Sequence, residues 1–236
     1  MSTSTTPSTP QHIAIIMDGN RRWARKNKLQ IFKGHEKVAQ EKLERLVDHC
    51  IHLEIPYLTL WAFSTENWKR DTLEVEAILN LIRQMFKRGV DKMLDKQVKI
   101  EVIGDISRFP EDIQQGIAQM RAKSSGHDKI TVTFALNYGG RNELSRAIKE
   151  LFAEGGGSLS AAQIEQRLDQ LLDTHFLPDP DLIIRTGGEQ RLSGFMPWQG
   201  TYAELYFTSV LMPDFNEQEL DRAIADYKSR HRRFGG

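Results

Sequence analysis

A single cysteine, Cys50, stands in 236 residues, so no disulfide within the chain and no cysteine-built zinc site is possible. No apolar run approaches the roughly 18 residues that a membrane-spanning helix needs. Lys+Arg and Asp+Glu both total 32. The chain therefore lacks the bulk positive charge with which nucleic-acid binders hold a phosphate backbone, and any anion site must arise by local sorting of charge. G-x-G-x-x-G, the Walker A loop, His-Glu-x-x-His and Gly-x-Ser-x-Gly are all missing. The stretch from Met1 to Pro10 is rich in Ser, Thr and Pro, without the basic start and apolar centre of a secretory signal. Residues 1–11 are expected to form a disordered tail and 12–236 one catalytic domain, in a cytoplasmic protein.

What is present alternates. Apolar, β-rich runs occur at 12–17, 57–63, 98–103, 130–136, 181–185 and 203–207, with helical patterns near 36–53, 73–96, 110–124, 141–154, 160–173 and 216–230. This order predicts a single α/β domain: a mostly parallel six-stranded sheet flanked by helices. The run at 98–103 alternates polar and apolar residues, which suits an edge. Gly155-Gly156-Gly157-Ser158 reads as a loop between helices. The stripe Leu73, Ala77, Leu81, Met85, Phe86 reads as a core-facing side of the long helix. Thr72 is the candidate cap of that helix, with Glu74 in its first turn.

Polar residues collect where strands end. The first run leads into Asp18-Gly19-Asn20-Arg21-Arg22-Trp23. In open α/β sheets ligands bind beyond the carboxyl ends of strands. A carboxylate there can hold a divalent cation, and arginines can grip phosphate oxygens as forks. Together they suggest a Mg²⁺–diphosphate site, although Asp-Gly-Asn is also ordinary turn chemistry. The second run ends in Ser64-Thr65-Glu66-Asn67-Trp68-Lys69-Arg70, and the fifth in Arg185-Thr186-Gly187-Gly188-Glu189-Gln190-Arg191-Leu192-Ser193. Glycine freedom between two guanidinium groups suits a diphosphate. Glu204 lies in an apolar run, where a carboxylate is costly unless paired or on a metal. His35, taken alone, reads as a packing or capping residue at a helix start.

Five blocks in this order, His12–Trp23, Ala62–Arg70, Ile103–Phe109, Asn137–Arg141 and Asp181–Phe207, resemble the cis-prenyltransferase family, most closely the bacterial undecaprenyl diphosphate synthases. The aspartate-rich Asp-Asp-x-x-Asp of the all-helical trans-prenyltransferases is absent. The resemblance covers nearly the whole chain. It implies successive condensation of isopentenyl diphosphate onto an allylic diphosphate such as farnesyl diphosphate, with Mg²⁺ as cofactor. The product would be a long Z-polyprenyl diphosphate growing into a hydrophobic tunnel, undecaprenyl diphosphate being the precursor of the lipid carrier for cell-wall polysaccharide. It implies Asp18 at the Mg²⁺ and diphosphate, with Glu204 completing the metal site. Gly19, Asn20, Arg21, Arg22 and His35 would cradle the allylic diphosphate, Trp23 and Trp68 would flank the substrates, and Arg70 would lie near the reacting groups. Asn67 would assist proton removal, with Ser64, Thr65 and Glu66 lining the same pocket. Arg185, Arg191, Leu192 and Ser193 would bind isopentenyl diphosphate. Arg233 and Gly235 would reach the neighbouring site of a homodimer. Ala62, Leu81, Ile82, Met85 and the strand around Val132 would line the tunnel. No nucleic acid is implied, and peripheral contact with the inner membrane face for product release is left open.

The chain departs from the family pattern at several places: position 21, often glycine in the bacterial family, is Arg21 here, which also occurs in the family. Ile31 stands where an arginine usually touches the allylic diphosphate, with Lys33 two residues on as a stand-in that offers a point charge in place of a fork. Gln190 stands where some relatives have a metal-contacting histidine, and Gly194 and Pro197 replace Asn and Leu. Within the family the alternative is a shorter-chain Z-prenyl diphosphate synthase. Two further rivals are a non-catalytic subunit of the same fold, which the retention of Asp18, Arg185, Arg191 and Glu204 disfavours, and a phosphohydrolase using Asp18, for which no second acidic cluster or adjacent base is visible.

Overall fold

The structure is a computed structural model that describes residues 9–230. Arg233, Gly235 and residues 1–8 of the expected tail lie outside the described residues. The apolar runs become β1 (His12–Ile16), β2 (Tyr57–Ser64), β3 (Val98–Ile103), β4 (Ile130–Tyr138), β5 (Leu182–Arg185) and β6 (Glu204–Phe207). They form one sheet in the order β3-β4-β2-β1-β5-β6, with every pairing parallel. The alternating β3 is at an edge, as its pattern predicts. β1, apolar throughout after His12, is buried on both faces between β2 and β5.

That central place matters for function. From β1 the chain builds the sheet first one way and then the other, which opens a crevice at the carboxyl ends. Ile16 stands opposite Trp61 on one side and Arg185 on the other. The sequences following β1, β2 and β5 therefore meet at one rim.

The helices differ from expectation in instructive ways. Asn20–Lys26, a segment given no helix in the sequence pattern, is helix α1; Gly19, at φ 100°, turns the chain into it. The pattern at 36–53 is α2 (Phe32–Lys37), a π-helical turn (Val38–Lys42) and α3 (Leu43–His52). The pattern at 73–96 is α4 (Thr72–Gln84), a second π-helical turn (Met85–Gly89) and α5 (Val90–Asp95). Asp71, not Thr72, caps α4, its carboxylate accepting from the Leu73 N–H at 2.9 Å. Leu73 is 81% exposed; the buried face of α4 carries Val75, Ile78, Leu79 and Ile82 instead, because the apolar period begins two residues later. The remaining helices are α6 (Glu111–Ser124), α7 (Gly140–Ala153), α8 (Ala161–Leu171) and α9 (Glu217–Ser229).

The sheet face bearing Ile13, Ile15, Leu60 and Phe134 packs on α3, α4, α6 and α9. Between that face and the helices α2 to α4 lies a cavity of about 320 Å³, with Val38, Leu43, Ala62, Leu81, Ile82 and Met85 in its wall. Ala62, Leu81, Ile82 and Met85 are where the tunnel was expected. The strand around Val132 also contributes: Phe134 lines the cavity, while Val132 itself is fully buried in the core.

Candidate active site

β1 ends one residue before Met17-Asp18-Gly19. A Cβ on Gly19 would stand 2.8 Å from Leu211 Cδ2 and 3.1 Å from Leu211 Cα, so only glycine makes this left-handed turn so close to a neighbour. The turn fixes Asp18. Its backbone carbonyl accepts from the Thr186 hydroxyl (2.7 Å) and the Met212 N–H (3.0 Å). Its carboxylate accepts from the Gly19 N–H (2.6 Å) and from Arg185 Nη2 (3.0 Å), with Arg22 Nη2 at 3.4 Å. The Asp18 side chain remains 32% exposed toward the crevice.

Arg185, the last residue of β5, is buried. Its Nη1 donates to the Arg191 carbonyl and to Ser193 Oγ (2.8 Å). One guanidinium thus ties Asp18 to the loop after β5. Gly187, at φ 87°, makes room for Arg22: a Cβ there would lie 2.5 Å from Arg22 Nη2. Arg191 is exposed and pairs with Glu189 at 2.5 Å. Leu192 packs under the loop beside Phe195 and Met196, and Ser193 is exposed at φ 53°.

On the other side of Asp18 the charges are arranged around Glu74. This buried carboxylate receives Arg70 Nη1 at 2.8 Å and lies 3.5 Å from Arg21 Nε. Burial, then the charges of Arg70 and Arg21, push His35 down to about 3, so the imidazole is neutral. Its Nε2 is shielded from solvent and has no hydrogen-bond partner among the described residues. Gly34 brings His35 there: a Cβ on it would be 2.2 Å from the Asn20 carbonyl oxygen, so α2 lies directly on α1.

Past β2, Thr65–Lys69 forms a short 3₁₀ turn in which Asn67 Oδ1 accepts from the Ser64 N–H at 3.0 Å. The Thr65 hydroxyl donates to Glu66 at 3.0 Å. Burial would push the Glu66 carboxyl up, but hydrogen bonds from its own N–H, Thr65 and Ser64 outweigh it and hold it below the usual range.

Asp18, Asn20, His35, Ser64, Glu66, Asn67, Arg70, Arg185 and Ser193 share the wall of the apolar cavity. Gly19, Arg21, Arg22, His35 and Arg70 share that of an adjoining polar cavity of about 250 Å³. Several expected members stand elsewhere. Trp23 donates to Asp214 at 2.8 Å under Lys37, and Trp68 donates to Asn137 at 2.9 Å among Phe63 and Phe109. Neither indole lines either of these two cavities; both brace the loops that do. Glu204 is the first residue of β6, opposite Leu182, whereas the residue beside Asp18 is Arg185 at the far end of β5. Glu204 accepts from Arg230 Nη1 at 2.7 Å. Parallel strands send the two carboxylates to opposite ends of the sheet, so the expected Asp18–Glu204 metal pair does not form within the described chain. Lys33 is paired with Glu36 at 2.6 Å, a partly exposed pair, and offers a point charge in place of the fork of an arginine at Ile31.

Among the described residues no group of three or more His, Cys, Asp or Glu is placed to hold a metal. One partly exposed carboxylate beside a phosphate cradle nevertheless fits Mg²⁺, which is commonly bound through one or two carboxylates plus substrate phosphates. Two residues at the rim escaped the sequence reading. Glu74 was given only a helix-end role, since its partners come from other elements. Arg25 carried a legible signal, lying four residues after Arg21 on one helix face.

The undecaprenyl diphosphate synthase family model matches residues 16–235. The chain belongs to this family of cis-prenyltransferases. It is 44% identical over 229 residues to an isoprenyl transferase of Clostridium perfringens, covering 96% of this chain and 90% of that one. It is 43% identical to an isoprenyl transferase of Helicobacter hepaticus, covering 98% of each. Among solved structures, lavandulyl diphosphate synthase from Lavandula x intermedia, in complex with dimethylallyl diphosphate, superposes with a TM-score of 0.93 at 34% identity, covering 98% of this chain and all of that one. A probable undecaprenyl diphosphate synthase from Campylobacter jejuni gives 0.76 at 33% identity, over 96% of this chain and 99% of that one. The protein is a prenyltransferase, and the arginine-rich rim over an apolar cavity is this prenyltransferase's candidate active site. No helix among the described residues is long and apolar enough to cross a membrane.

Proposed function

We propose that this prenyltransferase condenses isopentenyl diphosphate repeatedly onto an allylic diphosphate such as farnesyl diphosphate, yielding a long Z-polyprenyl diphosphate, undecaprenyl diphosphate, for cell-wall polysaccharide assembly. The observation that carries the proposal is the continuity of a polar rim, centred on Asp18 with arginines on both sides, with an apolar cavity. A diphosphate head and an isoprenoid tail need that pairing. The dimethylallyl diphosphate bound to the lavandulyl relative supports an allylic substrate.

In this reading Arg21, Arg22, Arg70 and His35 hold the allylic diphosphate, and Arg185, Arg191 and Ser193 hold isopentenyl diphosphate. The allylic carbon–oxygen bond breaks, a carbon–carbon bond forms to isopentenyl diphosphate, and a proton leaves. Mg²⁺, held by Asp18 with the phosphates, would neutralise the departing diphosphate. Asn67 orients: its oxygen is already engaged by the Ser64 N–H, and an amide is not among the usual side-chain bases. The departing diphosphate and the ionised Glu66 are the bases at that point of the rim.

Cavity size favours a second reading of the product. An engineered cavity of about 150 Å³ takes benzene, roughly 25 Å³ per carbon. At that rate the cavity of about 320 Å³ takes roughly a dozen carbons, nearer a farnesyl chain than an undecaprenyl one. That volume supports a shorter Z-prenyl product, and even a farnesyl tail needs the cavity's open side or a separation of the helices facing the sheet. Incubation with farnesyl diphosphate, labelled isopentenyl diphosphate and Mg²⁺, with an EDTA control, resolves both. A metal-dependent ladder ending at undecaprenyl length supports the first reading and a short stop the second. No incorporation with any allylic primer would overturn both.

A further inference from the structure

Four arginines, Arg21, Arg22, Arg25 and Arg70, border the polar cavity of about 250 Å³ beside Asp18. Three of them are engaged by carboxylates: Arg21 and Arg70 by Glu74, Arg22 by Asp18. Arg25 has no ion-pair partner among the described residues, is exposed, and turns its side chain to the same cavity. His35 adds no charge there, being neutral, but offers an unpartnered Nε2. Lys33, the other basic side chain near Ile31, is bound to Glu36. The charge in this wall that no neighbouring carboxylate offsets is thus a guanidinium fork one helical turn from Arg21.

We infer that Arg25 is a ligand of the diphosphate head of the allylic substrate, supplying from α1 the forked cation that the loop at Ile31 lacks. The inference rests on the proposed substrate class and adds a specificity residue to it. Arg21 and Arg25 lie on one helix face, so an anion between them and His35 would meet two forks and a neutral ring nitrogen. Arg25 has no ion-pair partner among the described residues, so its charge is available to the incoming diphosphate, whereas Arg21 and Arg70 share theirs with Glu74.

The test uses the full chain and two readouts. Inorganic pyrophosphate binding is measured by calorimetry, and KM and kcat are measured with farnesyl diphosphate. Arg25→Gln is expected to weaken pyrophosphate binding and raise the KM for farnesyl diphosphate by about fivefold to tenfold, the loss expected of one charge-assisted contact. Its kcat should stay within about twofold, since the contact is alike in ground and transition states. Arg25→Lys should fall between, keeping charge without the fork. Lys26→Gln, which removes the same charge one residue away and outside the cavity wall, should match the wild type. Equal behaviour of Arg25→Gln and Lys26→Gln would overturn the assignment and leave the proposed reaction standing. If the wild type fails to incorporate isopentenyl diphosphate while pyrophosphate binding still depends on Arg25, the anion site stands and the reaction falls.

Discussion

His12 and His35 sit near opposite ends of β1, and their difference separates the structural end of the sheet from the chemical one. Burial pushes both below the ordinary histidine value, His12 to about 4 and His35 to about 3. At the amino end His12 is fully satisfied: one ring nitrogen is 2.7 Å from the Pro178 carbonyl and the other 2.8 Å from the Thr59 hydroxyl. The first must therefore donate and the second accept. At the carboxyl end His35 Nε2, Asn20 Oδ1 and Arg185 Nε are all shielded yet unpartnered among the described residues. Buried polar atoms are normally satisfied. Three unsatisfied ones on residues that share one cavity wall mark the rim as built for a ligand.

The largest test of the contrast is Asp18→Ala. Removing the carboxylate that ties Arg185 and Arg22 and would hold Mg²⁺ should lower kcat by roughly a thousandfold or more, while circular dichroism still shows a folded protein with a cooperative melt. Near-normal turnover in the folded variant would break the assignment of the carboxyl end as the site.

The second test swaps the histidines for leucine. His12→Leu strands the Thr59 hydroxyl and the Pro178 carbonyl, costing about 3 kcal/mol in urea unfolding, with KM unchanged. His35→Leu removes an unpartnered nitrogen and should leave stability equal or higher, while the KM for farnesyl diphosphate rises roughly tenfold. Equal destabilisation by the two substitutions would erase the distinction.

Acid sharpens it. Both folded pKa values lie below the unfolded value of 6.5, so the unfolded chain binds more protons as pH falls below 6.5, and stability is lost on the way down to about 4 and 3. The His12 share between pH 6.5 and 4 is roughly 3 kcal/mol. His12→Leu should flatten that part of the stability–pH curve. An identical slope in wild type and variant would refute the burial account.

The smallest expected effect is that of Ile31→Arg, which adds one more forked cation near the rim and should lower the KM for farnesyl diphosphate by about threefold. An unchanged or raised KM would show that residue 31 does not face the diphosphate.

Much of this was legible in the sequence. Continuous apolar runs at β1 and β5 announced buried parallel strands, and the polar residues after β1, β2 and β5 announced the rim. What escaped was what distant segments do to one another. Leu73 looked apolar and therefore internal, but the cap at Asp71 sets the start of α4 so that Leu73 faces out. Glu204 looked like a metal ligand because a lone carboxylate in an apolar run needs a partner; it has one, Arg230, from the end of a helix 26 residues away. Trp23 and Trp68, expected at the substrates, hold Asp214 and Asn137. The two π-helical turns beside the cavity have no signature in the periodicity.

By itself the sequence determined the alternation of strand and helix, the single parallel sheet and the identity of the residues at strand ends, because periodicity and glycine placement are local and act along the chain. Tertiary structure alone decided which of those residues meet. Asp18 and Arg185 are 167 positions apart and 3.0 Å apart, brought together because β1 and β5 pair in register. Within the described chain Glu204 is kept from Asp18 by the same register, since a parallel partner that starts level with β5 carries its first residue to the opposite end of the sheet.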